Sequence, residues 1–145
     1  MTFAQQMEAF AKKTNNKIED VVGAVCFQLS ESIVLRTPVD TGRARANWIP
    51  SLNNVSRETS DETDKTDDAS PTLNKVKPFA EKSAGKIFYL INNLPYIKVL
   101  EYGKYGTGPG ATIKTTRDGY SIQAPYGMVR ISTIRFRQAL KKAIK

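Results

Sequence analysis

Asp40-Thr41-Gly42 is the part of this sequence closest to a catalytic signature. Two Asp-Thr-Gly loops facing each other let a pair of carboxylates share one proton, as in aspartic proteases, and a short chain can supply both loops by dimerising. The surroundings argue against that chemistry. A protease triplet leaves an apolar strand and meets a small residue at a buried dyad. Here Arg36-Thr37-Pro38-Val39 precede it, and Arg43 and Arg45 follow. Guanidiniums so close would hold Asp40 ionised. The triplet reads instead as a turn, in which Gly42 supplies freedom in φ. The Asp40 carboxylate is expected to accept backbone amides two residues on, or to pair with an arginine.

Other candidate chemistry fails on spacing. Gly106-Thr-Gly-Pro-Gly110 lacks the Lys-Ser/Thr ending of a phosphate loop and the strand-to-helix placement of a dinucleotide fingerprint, so a flexible loop is expected. Glu101 stands without a carboxylate, His or Lys at the spacing general acid–base work needs, which favours a salt bridge. Glu58–Asp68 is rich in oxygen ligands but lacks the loop glycine and terminal Glu of a calcium hand, so a solvated loop is expected. There is no histidine, which removes the common zinc sites and every His-based triad. The one cysteine, Cys26, excludes a disulfide framework and permits a reducing compartment. Its helical neighbours Val22, Val25 and Leu29 predict a half-buried thiol. No enzyme activity, metal or cofactor is expected.

Charge and aromatics point to interfaces. The net charge is +8, yet Glu58 to Asp68 carries six acids against Lys65 alone; removing that −5 segment leaves the remainder at +13. From Met128 to Lys145 there are six bases and no acid, among them Arg130, Arg135, Arg137, Lys141 and Lys142. Such a segment suits DNA or an acidic protein surface, and also the C-terminal end of a helix dipole. Tyr96, Tyr102, Tyr105, Tyr120 and Tyr126 crowd the segments around the Gly-rich loop, and tyrosines beside arginines are typical interface anchors. Tyr96 is expected in the core or a subunit contact, and Tyr105 in an exposed contact.

The elements that must position these groups follow from periodicity. At 145 residues with 40% hydrophobic content, one globular domain is expected. Phe3, Met7 and Phe10, then Ile18, Val21, Val25, Leu29 and Ile33 predict a long helix from residue 3 to about 35, with a weak point at Thr14-Asn-Asn16. Thr2 and Gln5 form a capping box, and Pro38 stops the helix by Arg36. Arg43 to Ile49 is expected to be extended, with Trp48 against the sheet or the long helix. Pro50 to Ser70 reads as a long loop, mobile in isolation. Pro71 opens a helix to about Ala84, with Leu73, Val76 or Lys77, Phe79 and Ala80 on one side. Lys86–Asn92 is the best strand. Tyr96–Tyr102 forms two helical turns closed by Gly103. Short strands are expected at Thr112–Thr115 and Tyr120–Gln123, joined at Arg117-Asp-Gly119. A final helix starts near Gly127, with Val129, Thr133, Phe136, Leu140 and Ile144 as its apolar stripe. No internal repeat is visible. This order predicts an α+β fold: a long N-terminal helix and a C-terminal helix packed on a small, mostly antiparallel sheet, with long loops. No run approaches the roughly 20 apolar residues of a membrane span, and the N-terminus lacks the pattern of a signal peptide, so a soluble protein is expected.

Thr37-Pro-Val-Asp-Thr-Gly-Arg-Ala-Arg-Ala-Asn-Trp48, followed by Ile91-Asn-Asn-Leu-Pro-Tyr-Ile-Lys-Val-Leu-Glu-Tyr-Gly103 and Ala124-Pro-Tyr-Gly-Met-Val129, resembles the small tail-component family of tailed bacteriophages. That family includes neck and tail-completion proteins, and minor tail protein Z looks like a relative. The resemblance spans most of the chain, with Pro50–Ser70 as a variable insertion. Ile97 stands where the family often has Ala, and Ala44 replaces a larger apolar residue while Arg45 keeps the basic position. It implies a virion subunit at the head–tail junction or tail top, assembled in the host cytoplasm as a closed ring, a hexamer to match the tail tube. Its partners would be copies of itself and neighbouring neck, tail-terminator or tail-tube proteins, without a membrane. Its turn and subunit-interface residues would be Pro38, Asp40, Thr41, Gly42, Arg43, Arg45, Trp48, Tyr96, Glu101, Tyr102, Gly103, Tyr105 and Met128. Arg130, Arg135, Arg137, Lys141 and Lys142 would touch packaged DNA or an acidic partner. The alternative is a basic nucleic-acid-binding module, which would gather those bases into one groove.

Overall fold

A reciprocal cap opens the first helix: Thr2 N–H donates to Gln5 Oε1 at 2.9 Å and Gln5 N–H to Thr2 Oγ1 at 3.2 Å. In the computed structural model the described residues are 2–13, 18–103 and 120–144. They form α1 (Phe3–Lys13), α2 (Ile18–Arg36), α3 (Arg43–Ala46), β1 (Ile49–Leu52), α4 (Ser70–Glu81), β2 (Phe88–Ile91), α5 (Ile97–Tyr102) and α6 (Val129–Ile144). The fold is α+β, as the order predicts. The expected long helix is two helices; the weak point at Thr14-Asn-Asn16 lies outside the described residues, as do Tyr105, the Gly-rich loop, the Thr112–Thr115 strand and the Arg117-Asp-Gly119 turn. The side chains of Met7, Phe10 and Ile144 are likewise outside the description. Among the described residues no helix is long and apolar enough to cross a membrane.

The central element is α2, which packs most extensively on α4 and also touches α1 and α6. Gly23 permits the close approach to α4, since a β carbon there would stand 3.1 Å from the carbonyl oxygen of Ala80. On α4 the inward residues are Thr72, Leu73, Val76 and Ala80; Phe79, expected with them, is exposed. Strand β1 pairs antiparallel with β2 in the register Ile49 to Ile91 and Leu52 to Phe88. α4 lies on β1, while α6 packs on α1 and α2, with Phe3 and Phe136 edge to face at 5.3 Å. One apolar cluster joins these parts, including Ile33, Val34, Trp48, Leu73, Leu100 and Met128.

Three local expectations are corrected. Arg43–Ala46 is helical rather than extended, and the strand starts at Ile49. Gly42, at φ 84°, turns the chain directly into a helix, and Arg-Ala-Arg-Ala has strong helix propensity. Tyr120–Gln123 is a single bridge residue, Ser121, running into a turn at Ile122 and Gln123. The Ala124 amide closes the turn on the Ser121 carbonyl at 3.0 Å, and the Gln123 side-chain amide clasps Val39, accepting from Val39 N–H at 2.7 Å and donating to the Val39 carbonyl at 3.1 Å. Finally, of the expected α6 stripe Val129 is exposed while Thr133, Phe136 and Leu140 are half-buried, and the fully buried positions are Ser132 and, just before the helix, Met128. Ser132 is buried because its hydroxyl accepts from Ser32 on α2 at 3.0 Å, which a purely apolar stripe does not anticipate.

Candidate functional site

The segments around Asp40–Trp48, Ile91–Gly103 and Ala124–Val129 meet in space. Asn92 Nδ2 donates to the carbonyl of Ala44 at 2.8 Å, Gln123 holds Val39, and Glu101 reaches the start of α6. Two buried carboxylates organise this assembly, and each caps a helix it does not belong to.

Glu101 sits at the C-terminal end of α5. Its Oε2 accepts the backbone amides of Met128 at 2.7 Å and Val129 at 2.8 Å; its Oε1 accepts that of Arg130 at 2.9 Å and Arg130 Nε at 3.1 Å. These amides are the unpaired donors at the N-terminus of α6, where the helix dipole also favours negative charge. Burial alone would raise the carboxyl, but hydrogen bonds from the Arg130, Met128 and Val129 amides and the Arg130 guanidinium hold it below its ordinary range. Arg130 Nη2 also donates to the Glu101 carbonyl at 2.8 Å and to the Tyr120 hydroxyl at 3.1 Å, and its guanidinium lies 4.5 Å above the Tyr102 ring. The salt bridge expected for Glu101 is therefore present, within a larger cap.

Asp64 is the counterpart. It is only 2% exposed, which corrects the reading of Glu58–Asp68 as wholly solvated. Its Oδ2 accepts Thr72 Oγ1 at 2.6 Å and Thr72 N–H at 3.2 Å, at the start of α4. Its Oδ1 accepts Thr66 Oγ1 at 2.7 Å and Thr66 N–H at 3.0 Å. Burial pushes this carboxyl up, and the Thr72 and Thr66 bonds bring it below its ordinary value. The residue before the helix, Ala69, has no polar side chain to offer, so its first amides go to Asp68, whose Oδ1 accepts Ser70 N–H at 3.0 Å, and to Asp64. The rest of the acidic segment is tied down as a strap. Ser60 exchanges bonds with Asn47 at 2.8 and 2.9 Å, Arg43 Nε donates to the Ser60 carbonyl at 3.2 Å, and Asn93 Nδ2 donates to the carbonyls of Ser56 and Glu58 at 3.0 and 2.9 Å. Polar backbone groups explain the tether: an apolar-poor loop can still be fixed by hydrogen bonds.

The expected turn and interface residues divide by exposure. Gly42, Arg45, Trp48, Glu101, Gly103 and Met128 are buried within the chain and build the domain. Trp48 Nε1 donates to Thr37 Oγ1 at 2.7 Å, locking β1 to the end of α2. Arg45 Nη1 donates to the Thr66 carbonyl at 2.6 Å, while its Nε is buried without a partner among the described residues. Asp40 and Thr41 are exposed, and Pro38 and Arg43 are half-buried. The cap expected of Asp40 is made by its neighbour, with Arg43 N–H donating to Thr41 Oγ1 at 3.2 Å, and Arg43 turns away to Ser60 and Asp61. Exposed aromatic surface remains at Tyr96, Tyr102 and Tyr126, the last 66% exposed beside Gly127.

The bases of α6 do not form one groove. Arg130 belongs to the Glu101 cap. Arg137 and Lys141, four apart with Ile134 one turn before, lie exposed on the outer face. The Arg36 guanidinium of α2 is held below its ordinary value by burial and by the charge of Arg135. Arg135, Arg137, Lys141 and Lys142 have no carboxylate partner among the described residues.

Sequence reasoning missed Asp64 and the capping role of Glu101. Asp64-Lys-Thr66 does carry the local signal of a carboxylate bonding two residues on, but nothing local marks Thr72 or Met128 as partners. A depression of about 320 Å³ lies beside Asp64, lined by Ala46, Glu62, Thr63, Pro71, Thr72 and Lys75. Glu62 and Lys75 pair with each other there, and both Asp64 oxygens are occupied. Among the described residues no three His, Cys, Asp or Glu side chains gather to hold a metal. Comparison of the chain with protein-family models, with curated proteins and with solved structures found no match.

Proposed function

We propose that this chain is a non-enzymatic virion subunit of a long-tailed phage, forming a ring at the head–tail junction or tail top. The observation that carries this reading is the Glu101 cap. It gathers the Pro-Tyr…Glu-Tyr-Gly and Pro-Tyr-Gly-Met segments into one rigid corner and leaves Tyr102 and Tyr126 displayed on it. Rigid aromatics with a fixed arginine are what protein interfaces use as anchors. The bonds between the three family-like segments also make them one structural unit, so their co-occurrence in the sequence has a physical reason.

Light scattering of the purified chain, alone and with isolated tail tubes, tests the reading. The expected result is a ring-sized species, or a monomer that enters a ring on the tubes. A chain that stays monomeric in both conditions overturns it. A nucleic-acid module is the second reading, favoured by the exposed Arg137–Lys141 face of α6; a mass that shifts with duplex DNA and not with tubes would select it.

A further inference from the structure

We propose that the outer face of α6 in one copy docks on the acidic strap, residues 56–68, of a second copy, head to tail around the ring. This specifies the subunit contact of the assembly reading and rests on it.

The strap presents charge on a fixed backbone. Bonds from Asn47, Arg43 and Asn93 pin it, and Asp64 anchors its end on α4, so the exposed carboxylates of Glu58 and Asp67 stand at set positions. Neither carboxylate has a cation partner among the described residues, and neither do Arg137 and Lys141 have an anion. Two unpaired surfaces of opposite sign therefore exist on one chain. They cannot satisfy each other internally as the chain is folded. The strap packs on α3 and α4, α6 packs on α1 and α2, and no hydrogen bond or ion pair among the described residues joins strap to α6.

Complementary patches on different sides of one molecule make a heterologous contact, the kind that closes rings. Exposed ion pairs are individually weak, so they set orientation and partner choice while apolar groups such as Ile134 and the displayed tyrosines supply contact area. DNA is the competing anion for α6, but a second copy also supplies cations to Glu58 and Asp67, which have none among the described residues.

Charge reversal tests the contact. Arg137→Glu with Lys141→Glu makes one variant, and Glu58→Lys with Asp67→Lys makes another; all four side chains are exposed. By light scattering at about 50 mM salt, where exposed charges are weakly screened, each variant is expected to lose the ring-sized mass. The chain carrying all four reversals is expected to recover it, which also shows that the substitutions fold. Wild-type association should weaken at about 500 mM salt. Recovery failing in the four-fold variant, or either two-fold variant assembling like wild type, overturns the proposal. A wild-type ring indifferent to salt and to reversal removes this contact and leaves the ring reading standing. A wild-type chain that never oligomerises, tubes included, removes both. An α6 variant that keeps its ring but loses duplex DNA assigns the helix to nucleic acid instead.

Discussion

Gly42 and Asp64 lie back to back: the amide of Asp64 donates to the Gly42 carbonyl at 3.0 Å, and a β carbon on Gly42 would stand 2.6 Å from the carbonyl oxygen of Asp64. Gly127 and Glu101 repeat the relationship, since a β carbon on Gly127 would collide with the Glu101 carbonyl oxygen. In both places a glycine at positive φ lets the chain pass close to a residue whose buried carboxylate caps the next helix. The glycine of each of these turns is thus explained by what it packs against as well as by the turn itself.

Replacing Gly42 or Gly127 with Ala should cost about 2–4 kcal/mol, combining left-handed backbone strain with displacement of a neighbouring backbone. Gly85 supplies the control. It too has positive φ, 73°, but a β carbon there meets nothing within 4 Å. Gly85→Ala should therefore cost only about 1 kcal/mol. Urea unfolding of the three variants checks the ranking, and equal losses would show that packing adds nothing to the strain.

Glu101 and Asp64 should dominate the acid limb of stability. Both carboxyls titrate lower when folded, so on acidification the unfolded chain takes up protons first. Their stabilisation is complete above the ordinary values of 4.5 and 3.8 and is lost as pH falls through the lowered folded values. Glu101→Gln should cost about 2–3 kcal/mol at neutral pH, because it removes the charge that the amides of Met128, Val129 and Arg130 bind and sets an amide NH2 against those donors. It should also flatten the acid limb. Thermal melts from pH 7 down to about pH 3 measure this; an unchanged slope would locate the acid sensitivity elsewhere.

How much of this was legible beforehand depends on the range of each interaction. The start of α1, the end of α2 at Arg36, the Pro71 helix start and the Gly103 stop are all set by neighbours within four residues, and the sequence shows them. α3 was misread because Trp48 and Ile49 carry strand propensity, while the helical preference of Arg43–Ala46 is decided by the Gly42 turn. Asp64 finds Thr72 eight residues on and Glu101 finds Met128 twenty-seven on. Partners at those distances are chosen by the fold, and composition averages a buried carboxylate into an acidic loop.

Thr37 and Trp48 offer a test of a buried polar pair. Thr37 Oγ1 donates to the Ile33 carbonyl at 2.8 Å while accepting from Trp48 Nε1. Thr37→Val strands the indole N–H in the interior and should cost about 1–3 kcal/mol. Trp48→Phe removes the orphan along with some contact area. The double variant should consequently be more stable than the sum of the two single losses implies, by at least about 0.5 kcal/mol. A double-mutant cycle in urea measures the coupling, and strict additivity would mean the bond contributes nothing.

Arg45 should respond in the opposite way from Arg130, although both are arginines of the site. Arg130 holds Glu101, Tyr120 and Tyr102 together, so Arg130→Met removes the half-exposed cation from a buried carboxylate that keeps three backbone amides, and should cost about 1–2 kcal/mol. Arg45 is 7% exposed, and among the described residues its guanidinium has one hydrogen bond, to the Thr66 carbonyl, and a buried Nε with no acceptor. Its desolvation is poorly offset, and a thioether of similar length would retain most of the packing. Arg45→Met should therefore change the stability of the isolated chain by less than about 1 kcal/mol, in either direction. If Arg45→Met proves as damaging as Arg130→Met in the same unfolding experiment, the guanidinium is compensated by contacts beyond the single bond to Thr66.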